Sequence, residues 1–265
     1  MSRIERSEGR FLFGYDPASY DAARPGHPSR VYEVLAARCG LGRGTRVLEI
    51  GPGTGQATRR LLEAGATLVV VEPNERLAEH LEATFGDRLE VRRAPLEDAD
   101  LARGSFDLAT AASSFHWVDE DVGLAAIHAA LRAEGWIALW WTLFGEGSGP
   151  DPFIRATTPL LEGLSSSPTK GEPGRPPHAL DAEARVGALE RAGFVQVEHE
   201  RIRWTARWDT AGIRALYGSF SPILRLEAGR RDEILDEIAR VAEQDFGGRV
   251  SRTLTTSLYT ARRPV

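Results

Sequence analysis

Between residues 45 and 144 the chain alternates short apolar runs, rich in β-branched residues, with segments whose apolar positions recur at helical spacing. This alternation is typical of βαβ units, in which helices cover both faces of a parallel sheet. We therefore expect a doubly wound α/β core. The pattern predicts strands over 46–50, 67–72, 89–93, 106–112 and 136–144, and helices over 55–65, 74–86 and 119–135, each ending at a glycine.

The segments on either side of this core have different patterns. An irregular arm and a helix beginning near His27 or Pro28 precede it, and a Gly/Pro/Ser-rich stretch over 145–178, which predicts a loop or lid, follows it. Strand-like runs over 195–208 and 251–263 predict an antiparallel hairpin. The predicted units are an N-terminal arm and helix (1–40), the core (41–144), a loop or lid (145–180), and the end of the sheet (181–265) with a helical insertion (209–247).

The composition narrows the classes of partner. The 265 residues include 33 Lys and Arg against 38 Asp and Glu, a net charge of −5, so a broadly basic surface for nucleic acid is not expected. The single cysteine, Cys39, excludes an internal disulfide framework and suits a reducing compartment. No apolar run reaches the ~20 residues that span a bilayer, and the N-terminus lacks a signal-peptide pattern. We expect a cytoplasmic protein with a small-molecule partner and neither nucleic-acid nor membrane partners; oligomeric state is not indicated.

The sharpest signal is the segment VLEIGPGTGQAT, residues 47–58. A buried strand runs into Gly51, Gly53 and Gly55 and a helix follows at once, so the backbone can turn tightly and approach a ligand closely. The next predicted strand ends in Glu72, an acid placed to accept hydrogen bonds from both ribose hydroxyls of an adenosine. The segment therefore predicts a nucleoside site at the first strand-to-helix crevice.

The spacing of the loop is G-x-G-x-G rather than the G-x-G-x-x-G of dinucleotide-binding proteins, and Glu49 lies inside the preceding strand. This segment resembles the first motif of the class I S-adenosylmethionine-dependent methyltransferases. The resemblance implies S-adenosyl-L-methionine as cofactor. It also implies a Rossmann-like doubly wound, mostly parallel seven-stranded sheet with a C-terminal antiparallel hairpin and an acceptor-side lid insertion. A carboxylate at Glu49 suits a cationic sulfonium ligand; the alternative is a buried acid satisfied by backbone N–H groups.

Later segments extend the resemblance. Residues 94–108, APLEDADLARGSFDL, are similar to the family's acidic turn and the start of its fourth strand. The similarity implies that Leu96 and Glu97 hold the adenine. In LRAEGWIALWWT, Glu134 stands in place of the first glycine of the family's turn before the fifth strand.

The N-terminal arm, YDPASYDAARPGHP, resembles the gate of the small-molecule branch that includes trans-aconitate methyltransferases. Tyr20 and Arg24 are at the matching positions. An arginine there could clamp the methionine carboxylate of the cofactor or an acidic acceptor through paired hydrogen bonds. The alternative is an ordinary surface arginine before a proline turn.

The segment SSFHWVD follows the fourth strand, whose end faces the transferred methyl group in related enzymes. His116 is the candidate catalytic residue, either as a general base for a hydroxyl or as a donor that orients a carboxylate. In the alternative, His116 and Trp117 pack against the cofactor without a proton role. The further candidates are Gln56, Pro73 and Ser113 for cofactor binding, and His116, Trp117 and Trp141 for acceptor binding.

The resemblance implies a methyltransferase acting on a small molecule, by in-line transfer to a carboxylate or hydroxyl oxygen. An NAD(P)-dependent reductase shares the strand, glycine loop and acid, but it would need a Tyr/Lys pair, and Lys170 falls in the predicted lid. A non-catalytic protein that binds an adenosine ligand is the second alternative. We expect no metal, because no set of His, Asp and Glu has the spacing of metal ligands.

Overall fold

A computed structural model of the chain describes residue 21 and residues 23–144, 151–164 and 176–265. Within these ranges, seven strands form one sheet in the order β3-β2-β1-β4-β5-β7-β6. The strands are β1 (Arg46–Ile50), β2 (Thr67–Val71), β3 (Leu89–Arg92), β4 (Phe106–Ala112), β5 (Leu131–Phe144), β6 (Val195–Asp209) and β7 (Arg249–Arg262). The first five pair in parallel, and β7 lies antiparallel between β5 and β6. The predicted fold class is confirmed.

Helices cover the two faces of this sheet. They are α1 (Ser29–Cys39), α2 (Gln56–Glu63), α3 (Glu75–Phe85), α4 (Glu120–Ala130), α5 (Pro152–Thr157), α6 (Ala182–Arg191), α7 (Thr210–Gly218), α8 (Ser221–Leu224) and α9 (Ala228–Phe246). No helix in the described ranges is long and apolar enough to cross a bilayer.

The central strands are apolar at nearly every position because both faces are buried. Successive side chains of a strand point to opposite faces. Leu48 and Ile50 of β1 join one buried cluster with Leu139 of β5, whereas Val47 joins a second cluster with Trp140. Continuous apolar runs, rather than alternating ones, are therefore the correct signature of this sheet.

The predicted helix over 119–135 extends too far. Helix α4 ends at Ala130, and Leu131 begins β5 by pairing with Phe106. Glu134 has a φ of 65°, in the left-handed region that glycine occupies most easily, which agrees with the resemblance that places a glycine there. The glycine that follows Glu134 lies inside the strand and does not end a helix.

The predicted loop or lid contains a helix with a buried side chain. Phe153 of α5 is 1% exposed and packs with α7 and α9. Residues 145–150 and 165–175 of this segment lie outside the described residues. Helix α5 and the insertion thus share a small apolar core beside the sheet, formed by Phe153, Ile213, Leu216, Tyr217, Ile223, Ile234, Leu235, Ile238, Ala242 and Val250.

A buried ion pair ties α5 to the sheet. Arg252 of β7 donates from Nε to Oδ2 of Asp151 at 2.8 Å and from Nη2 to the carbonyl oxygen of Phe144 at 3.2 Å. The arginine side chain is 1% exposed and the aspartate side chain 9%. Oδ1 of Asp151 also accepts from the backbone N–H groups of Phe153 and Ile154, so the same aspartate caps α5. Arg252 thereby holds Phe144, at the end of β5, and Asp151, at the start of α5, together.

Candidate active site

A cavity of about 490 Å³ lies at the carboxyl ends of β1, β2, β4 and β5. This is the edge of a doubly wound sheet where ligands bind, and the volume is typical of small-molecule sites. The part of the cavity lined by Gly51, Gly53, Glu72, Pro73 and Leu96 is called here the cofactor half. The part lined by Arg24, His116, Trp141, Phe144 and Phe220 is called the acceptor half. The halves are separated because β2 and β5 lie on opposite sides of the β1–β4 pair.

The three glycines of the loop have different structural roles. Each has a positive φ, of 60°, 60° and 86° for Gly51, Gly53 and Gly55. A Cβ on Gly51 would lie 2.7 Å from Cβ of Ser114, and one on Gly55 would lie 2.4 Å from the Phe85 ring. A Cβ on Gly53 would meet no atom of the described residues within 4 Å, and this glycine lines the cavity. The outer glycines therefore allow close packing, while Gly53 leaves backbone exposed to a ligand.

Glu72 is held at the cavity by two backbone groups. Its Oε2 accepts from the N–H of Gly53 at 3.2 Å, and its Oε1 accepts from the N–H of Asn74 at 3.0 Å. The residue is 3% exposed, and burial raises the pKa of the carboxyl to about 7 although both hydrogen bonds lower it. A carboxylate offers about four acceptor positions, so two stay available for a pair of hydroxyls.

Glu49 does not line the cavity. Its side chain lies on the opposite face of β1 from Ile50, is fully buried, and accepts from the Thr58 hydroxyl at 2.7 Å. Burial raises the pKa of Glu49 to about 7, and the other oxygen, Oε1, has no partner among the described residues. The predicted contact between Glu49 and the cofactor stays a prediction, and Glu49 is not among the residues that line the described cavity. A hydroxyl, rather than backbone N–H groups, partly satisfies the acid.

The N-terminal arm crosses the cavity and joins the loop to the insertion. The side-chain amide of Gln56 donates to the backbone carbonyls of Asp21 and Arg24, at 3.2 and 3.1 Å. Arg24 donates to the hydroxyl of Ser219 at 2.7 Å and to its carbonyl at 3.1 Å, with the guanidinium 4.8 Å from the centre of the Phe220 ring. Arg24 is thus half-buried in the cavity wall rather than on an open surface. Tyr20 lies outside the described residues.

His116 is in the short turn after β4. Its Nδ1 accepts a hydrogen bond from Nε1 of Trp141 at 3.1 Å, and its ring lies 4.6 Å from that of Trp117. Ser113, where the chain leaves the strand, has a φ of 55°. A non-glycine residue in this conformation stores strain, and such strain concentrates at functional sites. The Ser114 hydroxyl donates to the carbonyl of Ile50 at 2.5 Å, which ties this turn to the glycine loop.

Most of the candidate residues meet at one cavity. The lining includes Arg24, Gly51, Gly53, Gln56, Glu72, Pro73, Leu96, Ser113, His116, Trp117 and Trp141. Glu49, Gly55 and Glu97 are not part of it. Glu97 instead accepts from the backbone N–H of Asp119 at 3.1 Å, which leaves Leu96 as the residue of that turn at the cavity.

Sequence reasoning missed several wall residues of the acceptor half. They are His27, Thr142, Leu143, Phe144, Pro177, Ala179, Phe220, Ser221 and Pro222. The sequence predicts an acceptor-side insertion, but no motif in it marks which of its side chains turn inward. Among the described residues, no group of three or more His, Cys, Asp or Glu side chains is placed to hold a metal ion.

Comparisons with known proteins agree with this geometry. Residues 48–139 match the family model of a methyltransferase domain. An uncharacterized methyltransferase from Mycobacterium tuberculosis is 26% identical over 239 residues, 89% of this chain and 87% of that protein. A solved structure of a candidate type II methyltransferase from Anaeromyxobacter dehalogenans has a TM-score of 0.62 at 23% identity, covering 91% of this chain and 99% of that one.

A further solved structure is that of phosphoethanolamine N-methyltransferase 2 from Haemonchus contortus, in complex with phosphomonomethylethanolamine and S-adenosylhomocysteine. Its TM-score is 0.58 at 15% identity, with 99% of this chain and 61% of that longer chain covered. Likeness at this level establishes the fold. The chain is an S-adenosylmethionine-dependent methyltransferase, with S-adenosyl-L-methionine as its cofactor.

Proposed function

We propose that this methyltransferase acts on a small molecule and places the methyl group on oxygen, of a carboxylate or a hydroxyl. The observation that supports oxygen is the distribution of charge along the cavity. In the described lining the one carboxylate is Glu72, in the cofactor half, whereas the acceptor half contains the guanidinium of Arg24 and the imidazole of His116. An ammonium would find no carboxylate there, while an oxygen would meet hydrogen-bond donors.

The cofactor half fits an adenosine ligand. Glu72 has acceptor positions for two ribose hydroxyls, Gly53 lets the backbone approach closely, and Leu96 offers an apolar surface to the adenine. When bound, S-adenosylmethionine supplies a methyl group on a sulfonium, and the acceptor's lone pair takes that methyl as the carbon–sulfur bond breaks. The protein's part is to bind both partners, hold them in line and exclude water.

Aromatic and hydroxyl side chains shape the acceptor half. Trp117, Trp141, Phe144 and Phe220 give it apolar walls, with hydroxyl groups of Ser113, Thr142 and Ser221 between them. An apolar cavity with few polar groups binds the body of a ligand by burial and orients it by those groups. We therefore favour an acid or hydroxyl compound with an apolar body.

The contact between the arm and the insertion supports a small acceptor. Arg24, which lines the acceptor half, is hydrogen-bonded to Ser219 at the end of α7. This contact places the arm and the insertion together beside the cavity. The net charge of −5 likewise gives no general attraction for nucleic acid.

Transfer of an isotopically labelled methyl group tests the proposal. The protein is incubated with S-adenosylmethionine deuterated at the methyl group and with acids, hydroxyl compounds and amines of matched size, and the products are identified by mass spectrometry. We expect labelled methyl esters or ethers. Labelled products from the amines alone would contradict the proposal, and Glu72→Ala is the control for dependence on the described cofactor site.

A further inference from the structure

We propose that the protein binds ordered water at a buried site between α1 and the sheet, where the water joins Glu49 of β1, Thr110 of β4 and Tyr32 of α1. The site lies beneath the cavity and takes neither the cofactor nor the acceptor. The inference goes beyond the proposed function, because it does not depend on which compound the enzyme methylates.

Four side chains on one face of the sheet carry a polar atom that is sealed from solvent and has no hydrogen-bond partner among the described residues. The atoms are Oη of Tyr32, Oε1 of Glu49, Oγ1 of Thr110 and Nε1 of Trp140. Tyr32 is 8% exposed and the other three residues are 0% exposed. The large majority of buried polar atoms in proteins have a partner, and an unpaired one destabilises the fold. Four such atoms on one face therefore indicate a bound molecule.

The register of the sheet places Glu49 and Thr110 side by side. They are paired positions of the parallel strands β1 and β4, so both side chains point to the same face, from backbones about 4.8 Å apart. Oε2 of Glu49 accepts from the Thr58 hydroxyl at 2.7 Å, which leaves Oε1 as the oxygen without a partner. No hydrogen bond joins Oε1 to the Thr110 hydroxyl. One water molecule between the two side chains bonds to both.

Tyr32 and Trp140 bring α1 and β5 to the same site. Their rings are in edge contact, 6.4 Å apart between centroids, and both belong to the buried cluster on this face. Burial, and next the charge of Glu49, raise the pKa of Tyr32, so the phenol lies within electrostatic reach of that carboxyl. The water thus connects the helix that follows the arm to the strand that precedes the glycine loop.

The chemistry of the four atoms suits water. An indole N–H can only donate, whereas the two hydroxyl groups and the carboxyl oxygen can accept. Water donates and accepts, and a buried water typically makes about three hydrogen bonds to groups that are otherwise unpaired. A metal ion would be repelled by the indole N–H, and no described group of three or more His, Cys, Asp or Glu side chains is placed to hold one.

The site lies one layer below the cavity. Ala112 and Thr142 line the cavity, and Thr110 and Trp140 precede them by two positions on β4 and β5, on the same face of the sheet. His27 also lines the cavity, and its ring lies 5.6 Å from that of Trp140 between centroids. The bound water therefore supports the cavity wall from behind.

A high-resolution crystal structure of the wild-type protein tests the site directly. We expect a water molecule about 3 Å from both Oε1 of Glu49 and Oγ1 of Thr110. A direct hydrogen bond between these two side chains, a metal ion at this position, or no density between them would overturn the inference.

Thermal unfolding of Thr110→Val tests the site in solution, because valine keeps the shape of threonine without its hydroxyl. If the hydroxyl binds water, the melting temperature should fall by about 2–4 °C. If it binds nothing, removal of an unpaired buried hydroxyl should leave the melting temperature unchanged or raise it, which would overturn the inference. The matched control is Thr58→Val, which removes a direct hydrogen bond to Glu49 and gives the scale for one lost partner.

A double-mutant cycle tests whether α1 shares the water. Tyr32→Phe removes only the phenol oxygen, and we expect Tyr32→Phe and Thr110→Val together to lower the melting temperature by less than the sum of the single changes. The reason is that the first substitution already weakens the water that the second would release. Additive losses would show that Tyr32 and Thr110 do not share a water and would overturn the joint site.

Discussion

The cofactor half and the acceptor half of the cavity are built in different ways. The cofactor half uses the ends of adjacent strands, and its main contacts are backbone groups and one acid, Glu72, within a short stretch of chain. The acceptor half uses side chains from the arm, the turn after β4, β5 and the insertion; Arg24 and its partner Ser219 are 195 residues apart. The contacts of the cofactor half thus depend on local backbone geometry, whereas those of the acceptor half depend on tertiary packing.

The largest expected effect comes from breaking the buried ion pair between Arg252 and Asp151, which ties α5 to the sheet. Arg252→Met would leave Asp151 as a buried charge without its partner, so we expect the free energy of unfolding to fall by about 3–5 kcal/mol. Because the cofactor half does not depend on this pair, the remaining folded protein should bind S-adenosylhomocysteine as wild type does while KM for the acceptor rises. Denaturant unfolding, calorimetry and steady-state kinetics measure the three quantities.

An exposed ion pair is the matched control for this change. Arg230 and Glu233 of α9 lie 3.0 Å apart, with side chains 62% and 66% exposed. Arg230→Met should change the free energy of unfolding by less than about 1 kcal/mol. If Arg252→Met and Arg230→Met lose the same free energy of unfolding, the buried pair does not stabilise the fold more than an exposed pair does.

The next effect concerns the cofactor half alone. Glu72→Ala removes an acceptor of two backbone N–H groups and, by our account, of the ribose hydroxyls. We expect binding of S-adenosylmethionine to weaken by about 1–3 kcal/mol, with acceptor specificity retained. Isothermal titration calorimetry measures this change, and a parallel titration with NADH should give no binding. Unchanged affinity for S-adenosylmethionine would place the ribose elsewhere.

A third prediction concerns Glu49, the buried acid that does not line the cavity. Because burial raises the pKa of Glu49 from 4.5 to about 7, the unfolded chain ionises first as pH rises. Folded stability from this group is full below about pH 4.5 and is lost as pH rises through about 7. Glu49→Gln should therefore be more stable than wild type at pH 8, by about 3 kcal/mol, with the difference vanishing below about pH 4.5. A constant difference across this range would contradict the assignment.

The smallest expected effect on stability comes from two glycine substitutions. Together they distinguish contact with the ligand from backbone strain. Gly53→Ala and Gly40→Ala both place a Cβ at a positive φ, of 60° and 71°, with no atom of the described part of the chain within 4 Å. Each should lose about 1 kcal/mol of stability. Of the two, only Gly53→Ala should weaken cofactor binding, since Gly53 lines the cavity and Gly40 does not. Equal cofactor affinity in the two variants would show that the ligand does not approach Gly53.

The difference between the cofactor half and the acceptor half also explains which features the sequence could predict. Periodicity predicts the sheet, and the spacing after the glycine loop points to Glu72, because local spacing determines these features. Leu96 follows instead from the resemblance to the family's acidic turn. Alternation along β1 places the side chains of Glu49 and Ile50 on opposite faces of the sheet, and Ile50 is the one that lines the cavity. Phe220, at the cavity, and Ser219, which binds Arg24, carry no local signal, because only the packing of α7, α8 and the arm brings them to these positions.

The most direct test is a crystal structure of the protein with S-adenosylhomocysteine. The account predicts the ribose hydroxyls on the carboxylate of Glu72, the adenine against Leu96, and the sulfur facing the acceptor half, with Nδ1 of His116 still accepting from Trp141. A nucleoside bound away from Glu72, or a sulfur directed away from His116 and Arg24, would contradict it.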